Sequence, residues 1–155
     1  MTVNLTNLLC YKLFYLVKLN EQLIDKKMAP LNLTRTQWKI MARFNFLPTP
    51  CTQQTLLTSM GIDCAHLTRT LEQLEQRGLI TKERIRDDKR AYQIYPTSKG
   101  QKQVNKIEQI LITESNTLVN DFTQSEITQL TTLIDKIESN ILEEFKDLRD
   151  KNGKI

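Results

Sequence analysis

One histidine, His66, stands two residues from Cys64, and this pair is the nearest the sequence comes to a nucleophile with a base. On a helix, residues two apart point in different directions, so thiol and imidazole cannot share a proton. A lone histidine also excludes a histidine metal cluster or a paired histidine site within one protomer. No Gly-rich phosphate loop is present, since Gly61 and Gly78 close helical stretches, Gly100 falls in a first helical turn and Gly153 lies in the tail. The three cysteines, Cys10, Cys51 and Cys64, are an odd number at wide spacings, which suits neither a disulfide framework nor a zinc knuckle. Enzymatic chemistry is therefore not expected, and neither is a cofactor or metal.

The residue types that do recur are those that bind a polyanion. If 63–77 is helical, Ala65, His66, Thr68, Arg69 and Glu72 lie near one exposed face, with Cys64 at its start, while Leu67, Leu71 and Leu74 face a core. Arg, Thr and His can read base edges in a major groove. An ordinary solvated helix has a similar face, but the next segment tips the balance. Lys82, Arg84, Arg86, Lys89 and Arg90 put five cations on one short β element, an arm able to reach phosphates or a minor groove. Charge along the chain agrees: residues 1–30 balance at +2, residues 31–100 at +5 and residues 101–155 at −3. A basic middle suited to a polyanion is thus followed by an acidic C-terminal third.

The elements that must position these residues are mostly helical. Leu5, Leu9, Leu13, Leu16, Val17, Leu23 and Ile24 are spaced mainly by three and four, which predicts a helix over about 5–28, closed by Pro30. Thr34 and Gln37 have capping-box spacing and open a second helix through Trp38, Ile40, Met41 and Phe44, ending before Pro48 and Pro50. Thr52 can cap a third, short helix ending at Gly61, and Asp63 a fourth ending near Gly78. Leu79–Ile85 and Ala91–Tyr95 read as a β-hairpin whose solvated tip is Arg86-Asp87-Asp88-Lys89-Arg90. Thr97 then caps a long helix expected to carry Val104, Ile107, Leu111, Leu118 and Phe122. Thr123 and Glu126 open the last, with Ile127, Leu130, Ile134, Ile137, Ile141, Phe145 and Leu148 as a seam for another helix.

The expected fold is therefore mainly α with a small β-hairpin: a winged helix-turn-helix flanked by long N- and C-terminal dimerisation helices. Its regions are a helical dimerisation part at 1–30 and 101–150, a DNA-binding part at 31–100 and a frayed tail at 151–155. Leu5, Leu9, Leu13, Ile134, Ile137, Ile141 and Phe145 are the candidate dimer contacts, because a monomer of this size would struggle to cover two such stripes. A length of 155 residues, with 39% hydrophobic and 26% charged residues, fits one globular domain. Only four Gly and four Pro argue against an all-β fold. No apolar run nears the roughly 18 residues of a membrane helix, and Met1–Asn7 lacks the layout of a signal peptide, so a cytoplasmic location is expected and a membrane partner is not.

Three stretches carry a resemblance. LTRTQWKIM (33–41), GIDCAHLTRTLEQLEQRGLI (61–80) and RDDKRAYQIYPTSKG (86–100) resemble the MarR family of winged-helix transcription factors, most closely its SlyA-type branch, with a looser match at 126–142. The resemblance implies a homodimer that binds pseudo-palindromic double-stranded DNA and represses or counter-silences genes. It implies that Arg69 contacts bases, that Arg90 enters the minor groove, and that Asp88 braces Arg90. It further implies release of DNA by a small aromatic carboxylate effector in a pocket that, by position, would involve Tyr15, Lys18, Thr34 and Trp38. Departures are Leu57 where a small residue is usual, Cys64-Ala65-His66 at the recognition-helix start, Lys89 for the first Arg of the wing, and Pro96 for Leu or Val.

Two rival readings stay open at this level. Leu9-Cys10-Tyr11 is similar to the segment of peroxide-sensing relatives, which would make Cys10 a redox thiol, although the supporting tyrosines are here Phe14 and Ile24. A structural or adaptor dimer of the same fold without DNA binding is the other.

Overall fold

The computed structural model describes residues 5–47, 51–84 and 92–152, with side chains over 8–47, 51–84 and 92–149. Helix α1 runs Leu5–Met28 and is followed by a 3-10 turn, Ala29–Leu31. Next come α2 (Arg35–Arg43), β1 (Cys51–Thr52), α3 (Gln53–Met60), α4 (Cys64–Gln76), β2 (Ile80–Arg84), β3 (Tyr92–Pro96), α5 (Ser98–Leu118) and α6 (Gln124–Asn152). By contacts the chain forms two compact units, Met1–Glu114 and Ser115–Ile155.

Capping chemistry sets the helix starts. In α2 the Thr34 hydroxyl accepts from the Gln37 N–H while the Gln37 amide oxygen accepts from the Thr34 N–H, a complete capping box. Thr52 caps α3 and Asp63 caps α4 through Oδ1 on the His66 N–H at 2.8 Å. Gly78, at φ +65°, ends α4 in the left-handed region, and the Leu79 N–H reaches back to the Leu74 carbonyl. Thr97 accepts from the Gly100 N–H and starts α5.

The sheet has three antiparallel strands in the order β1-β3-β2, with Cys51 opposite Ile94 and Ile80 opposite Pro96. Pro96 falls at the end of β3, where a missing N–H costs least. The hairpin matches the sequence expectation, but Ile85 and Ala91 lie outside the described residues. Two expectations needed correction. The third strand, β1, has only two residues and no alternation to betray it. The long fifth helix stops at Leu118, and Phe122 lies beyond it, in a segment closed by a Phe122 N–H to Val119 carbonyl bond.

The core of the first unit joins Leu67, Leu71 and Leu74 of α4 to Ile40 and Met41 of α2, Leu56 of α3, Ile80 and Ile94 of the sheet, and Val104 and Ile107 of α5. Each such side chain stabilises by about 1.5–3 kcal/mol when fully buried. Among the described side chains of α1, only those of the C-terminal end, Ile24 and Met28, enter this core. In the second unit none of the described side chains is buried.

Candidate nucleic-acid interface

Burial of Leu67, Leu71 and Leu74 fixes which face of α4 turns outward, and Cys64, Ala65, Arg69 and Glu72 lie exposed on it. The Arg69 Nε donates to the Ala65 carbonyl at 3.3 Å, one turn back along the helix. Thr68 is tied twice, donating to the Cys64 carbonyl at 2.8 Å and accepting from Gln53 Nε2 at 2.7 Å. Gln53 also reaches the Cys64 sulfur at 3.7 Å. It therefore organises the start of α4 from α3, a role that no sequence pattern announced.

His66 faces inward from this row. Its Nε2 lies 3.1 Å from the Thr36 hydroxyl of α2, so the side chain that the sequence placed on a base-reading face is engaged by the protein itself. Lys82 is similarly engaged, its ammonium 2.8 Å from the Glu75 carboxylate of α4. Arg84 stacks 5.8 Å from the centre of the Tyr92 ring across the hairpin. Arg86, Asp88, Lys89 and Arg90 lie outside the described residues. Of the cations placed on the hairpin, Lys82 and Arg84 are thus the described pair, and Lys82 is partly neutralised.

The C-terminal half of α4 is held at α2 by a buried amide. Gln37, 5% exposed, donates from Nε2 to Gln73 at 3.0 Å, and its oxygen accepts from Arg77 Nη1 at 2.9 Å. Lys99 of α5 donates to the Arg77 carbonyl at 2.8 Å, complementing the negative end of the α4 dipole.

The first turn of α2 is also tied to α1. Arg35 bonds Asp25 through Nε (2.7 Å) and Nη2 and reaches Glu21 through Nη1 at 3.1 Å; Lys39 meets Glu21 at 2.7 Å. The Trp38 indole N–H donates to Asp25 at 3.0 Å. Hydrogen bonds from Lys39 to Glu21 and from Arg35 to Asp25 hold both carboxyls below their ordinary range. A depressed carboxyl stabilises the fold above its unfolded pKa and loses that contribution as pH falls through its folded value, so the ties are intact at neutral pH.

A cavity of about 420 Å³ opens beside this turn, lined chiefly by Arg35, Thr36, Trp38, Lys39, Arg43 and Phe46. Of the four residues assigned to an effector, Trp38 lines it. Thr34 is the α2 cap, and Tyr15 and Lys18 sit on the exposed stretch of α1. Cys10 and Cys64 are exposed thiols, whereas burial pushes the Cys51 thiol up. Among the described residues no group of three or more His, Cys, Asp or Glu could hold a metal ion, and no helix is long and apolar enough to cross a membrane.

Of the dimerisation candidates, Leu9, Ile134, Ile141 and Phe145 are 47–58% exposed, and Leu13 and Ile137 are partly buried. Leu5 lies in α1, but its side chain is outside those described.

Comparison with known proteins follows the same outline. Residues 33–92 match the model of the MarR family. A putative MarR family transcriptional regulator from Listeria monocytogenes, complexed with 26mer DNA, superimposes with a TM-score of 0.75 at 24% identity, over 87% of this chain and 89% of the other. A MarR transcriptional regulator from Methanosarcina mazei Go1 gives 0.77 at 21% identity, over 89% and 97%. The S. aureus MepR–DNA complex gives 0.76 at 21%, over 84% and 96%. Likeness at such identities establishes the fold, and the family match falls on the segment from the cap of α2 to the start of β3. What the chain shares with the MarR family model is this winged helix, residues 33–92.

Proposed function

We propose that the chain is a homodimeric transcription regulator of the SlyA-type branch that binds pseudo-palindromic duplex DNA sequence-specifically, as a repressor or counter-silencer. One observation carries the reading: the exposed face of α4 presents Arg69, whose bonds among the described residues go only to a carbonyl of its own helix, in a segment that continues into the hairpin bearing Lys82 and Arg84. An Arg held only by a neutral carbonyl is free to exchange it for the O6 and N7 of a guanine. Two of the similar structures described above are DNA complexes, which supports the same use here. Arg86, Lys89 and Arg90, with Asp88 as the brace of Arg90, enter the proposal on the sequence alone. The cavity beside α2 suits a small aromatic carboxylate, since it sets the Trp38 and Phe46 rings beside Arg35, Lys39 and Arg43. Such a ligand would be the releasing effector.

The test is selection of bound fragments from random duplex DNA, followed by titration of the recovered duplex at several salt concentrations. Affinity should fall steeply with salt, because cations on the protein displace counterions from phosphates. A protein that shifts no duplex at low salt would be the adaptor of the rival reading. Arg69→Ala should then cost about 1–3 kcal/mol on the recovered duplex and relax its sequence preference. Equal weakening on recovered and random duplexes would reduce Arg69 to a phosphate contact.

A further inference from the structure

The first turn of α2 faces two ways. Arg35, Trp38 and Lys39, spaced i, i+3 and i+4, share the face turned to α1, and Thr36 and Gln37 share the one turned to α4. Toward α1, all four carboxylate oxygens of Glu21 and Asp25 are taken by this one turn: Asp25 Oδ1 by Trp38, Asp25 Oδ2 by Arg35, Glu21 Oε1 by Lys39 and Glu21 Oε2 by Arg35. Toward α4, the side-chain hydrogen bonds that α2 makes among the described residues also involve this turn, Thr36 with His66 near one end of the helix, and Gln37, donating to Gln73 and accepting from Arg77, near the other. Half-exposed ion pairs of this kind contribute little stability. A network that saturates two carboxylates and fixes an Arg fork in one place instead defines direction.

We propose that Glu21 and Asp25 are positioning residues for DNA binding: they fix the first turn of α2 on α1, and Thr36 and Gln37 pass that orientation to α4, setting the tilt at which Arg69 meets its bases. The inference rests on the reading that α4 engages duplex DNA. Its value is that charge and geometry give opposite signs. Both residues are acidic, so electrostatics alone predicts that neutralising them strengthens binding to a polyanion. Positioning predicts a loss confined to the specific duplex.

The experiment uses the full chain and the duplex it selects from the random pool. Asp25→Asn should weaken binding to that duplex about tenfold while random duplex stays within about twofold. Arg35→Lys keeps the charge and removes the fork, so it should reproduce the loss, whereas electrostatics predicts no change. Thr36→Val removes the link to His66 at nearly constant volume. Its loss on the specific duplex should combine less than additively with that of Asp25→Asn, although the two side chains share no partner among the described residues. Trp38 is the single tryptophan of the chain, so its emission reports whether the junction has changed in each variant while melting curves report the fold. Specific affinity that rises with Asp25→Asn, an unaffected Arg35→Lys, or strictly additive losses would overturn the inference and leave the DNA reading standing. A wild-type chain that selects no duplex would overturn both.

Discussion

Gly100→Ala is expected to destabilise the protein by about 3 kcal/mol, lowering its melting midpoint by roughly 6–12 °C. A Cβ built on Gly100 would stand 1.8 Å from the carbonyl oxygen of Leu79 and 2.9 Å from its carbonyl carbon. Both obstacles are backbone, and the carbonyl is held in place because it accepts the Thr97 N–H at 3.0 Å. No side chain can rotate away to make room. Either α5 lifts from the α4–β2 corner, exposing Val104, or the corner itself moves and takes the buried Leu79 with it. Gly61 and Gly78 make the contrast. They sit at φ +60° and +65° with open space where a Cβ would go, so alanine there meets only backbone strain of about 1 kcal/mol. Denaturant unfolding of the three variants should rank Gly100→Ala well below the others. A Gly100→Ala midpoint equal to that of Gly78→Ala would mean that the packing of α5 on Leu79 is looser than described.

The same glycines separate what was legible in the sequence from what was not. A left-handed cap leaves a local mark, so Gly78 was readable as one, and so were Asp63, the Thr34–Gln37 box and the Thr123–Glu126 box, where Glu126 Oε2 accepts from Thr123 at 2.8 Å. A close approach between residues far apart in sequence leaves none, and Gly100 read only as part of a first turn. The helix faces were legible because apolar spacing reports burial directly, as at Leu67, Leu71 and Leu74. Polar pairing across elements was not. His66 and Lys82 were chosen for residue type and spacing, and Thr36 and Glu75 claim them from 30 and 7 positions away. Trp38 shows both sides: its burial at 6% exposed follows from the amphipathic pattern of α2, but its bond to Asp25, 13 residues earlier, does not. Arg69, by contrast, bonds only its own helix among the described residues, so no distant polar partner competes for it there.

Ile137→Asp with Ile141→Asp should abolish the dimer under conditions where the wild type is fully assembled. The second unit has no buried side chain among those described, yet α6 carries Leu130, Leu133, Ile134, Ile141, Leu142, Phe145 and Leu148 at 40–58% exposed. A 29-residue helix with an apolar band along its length cannot derive its stability from within itself, because helices gain most from packing an apolar face. In the proposed homodimer a second copy would supply the missing surface, with the symmetry that palindromic DNA requires. Two buried isoleucines per chain contribute on the order of 6 kcal/mol to a dimer, more than a thousandfold in its dissociation constant, before the cost of burying carboxylates is added. Sedimentation should show monomer or aggregate, and binding to the selected duplex should fall with it, since each chain then holds one half-site alone. Ser139→Asp, on the polar side of α6, is the control and should leave the assembly intact. A well-folded monomeric variant that held the full duplex with wild-type affinity would show that α6 serves some other partner, and that two winged helices need not be joined to read this DNA.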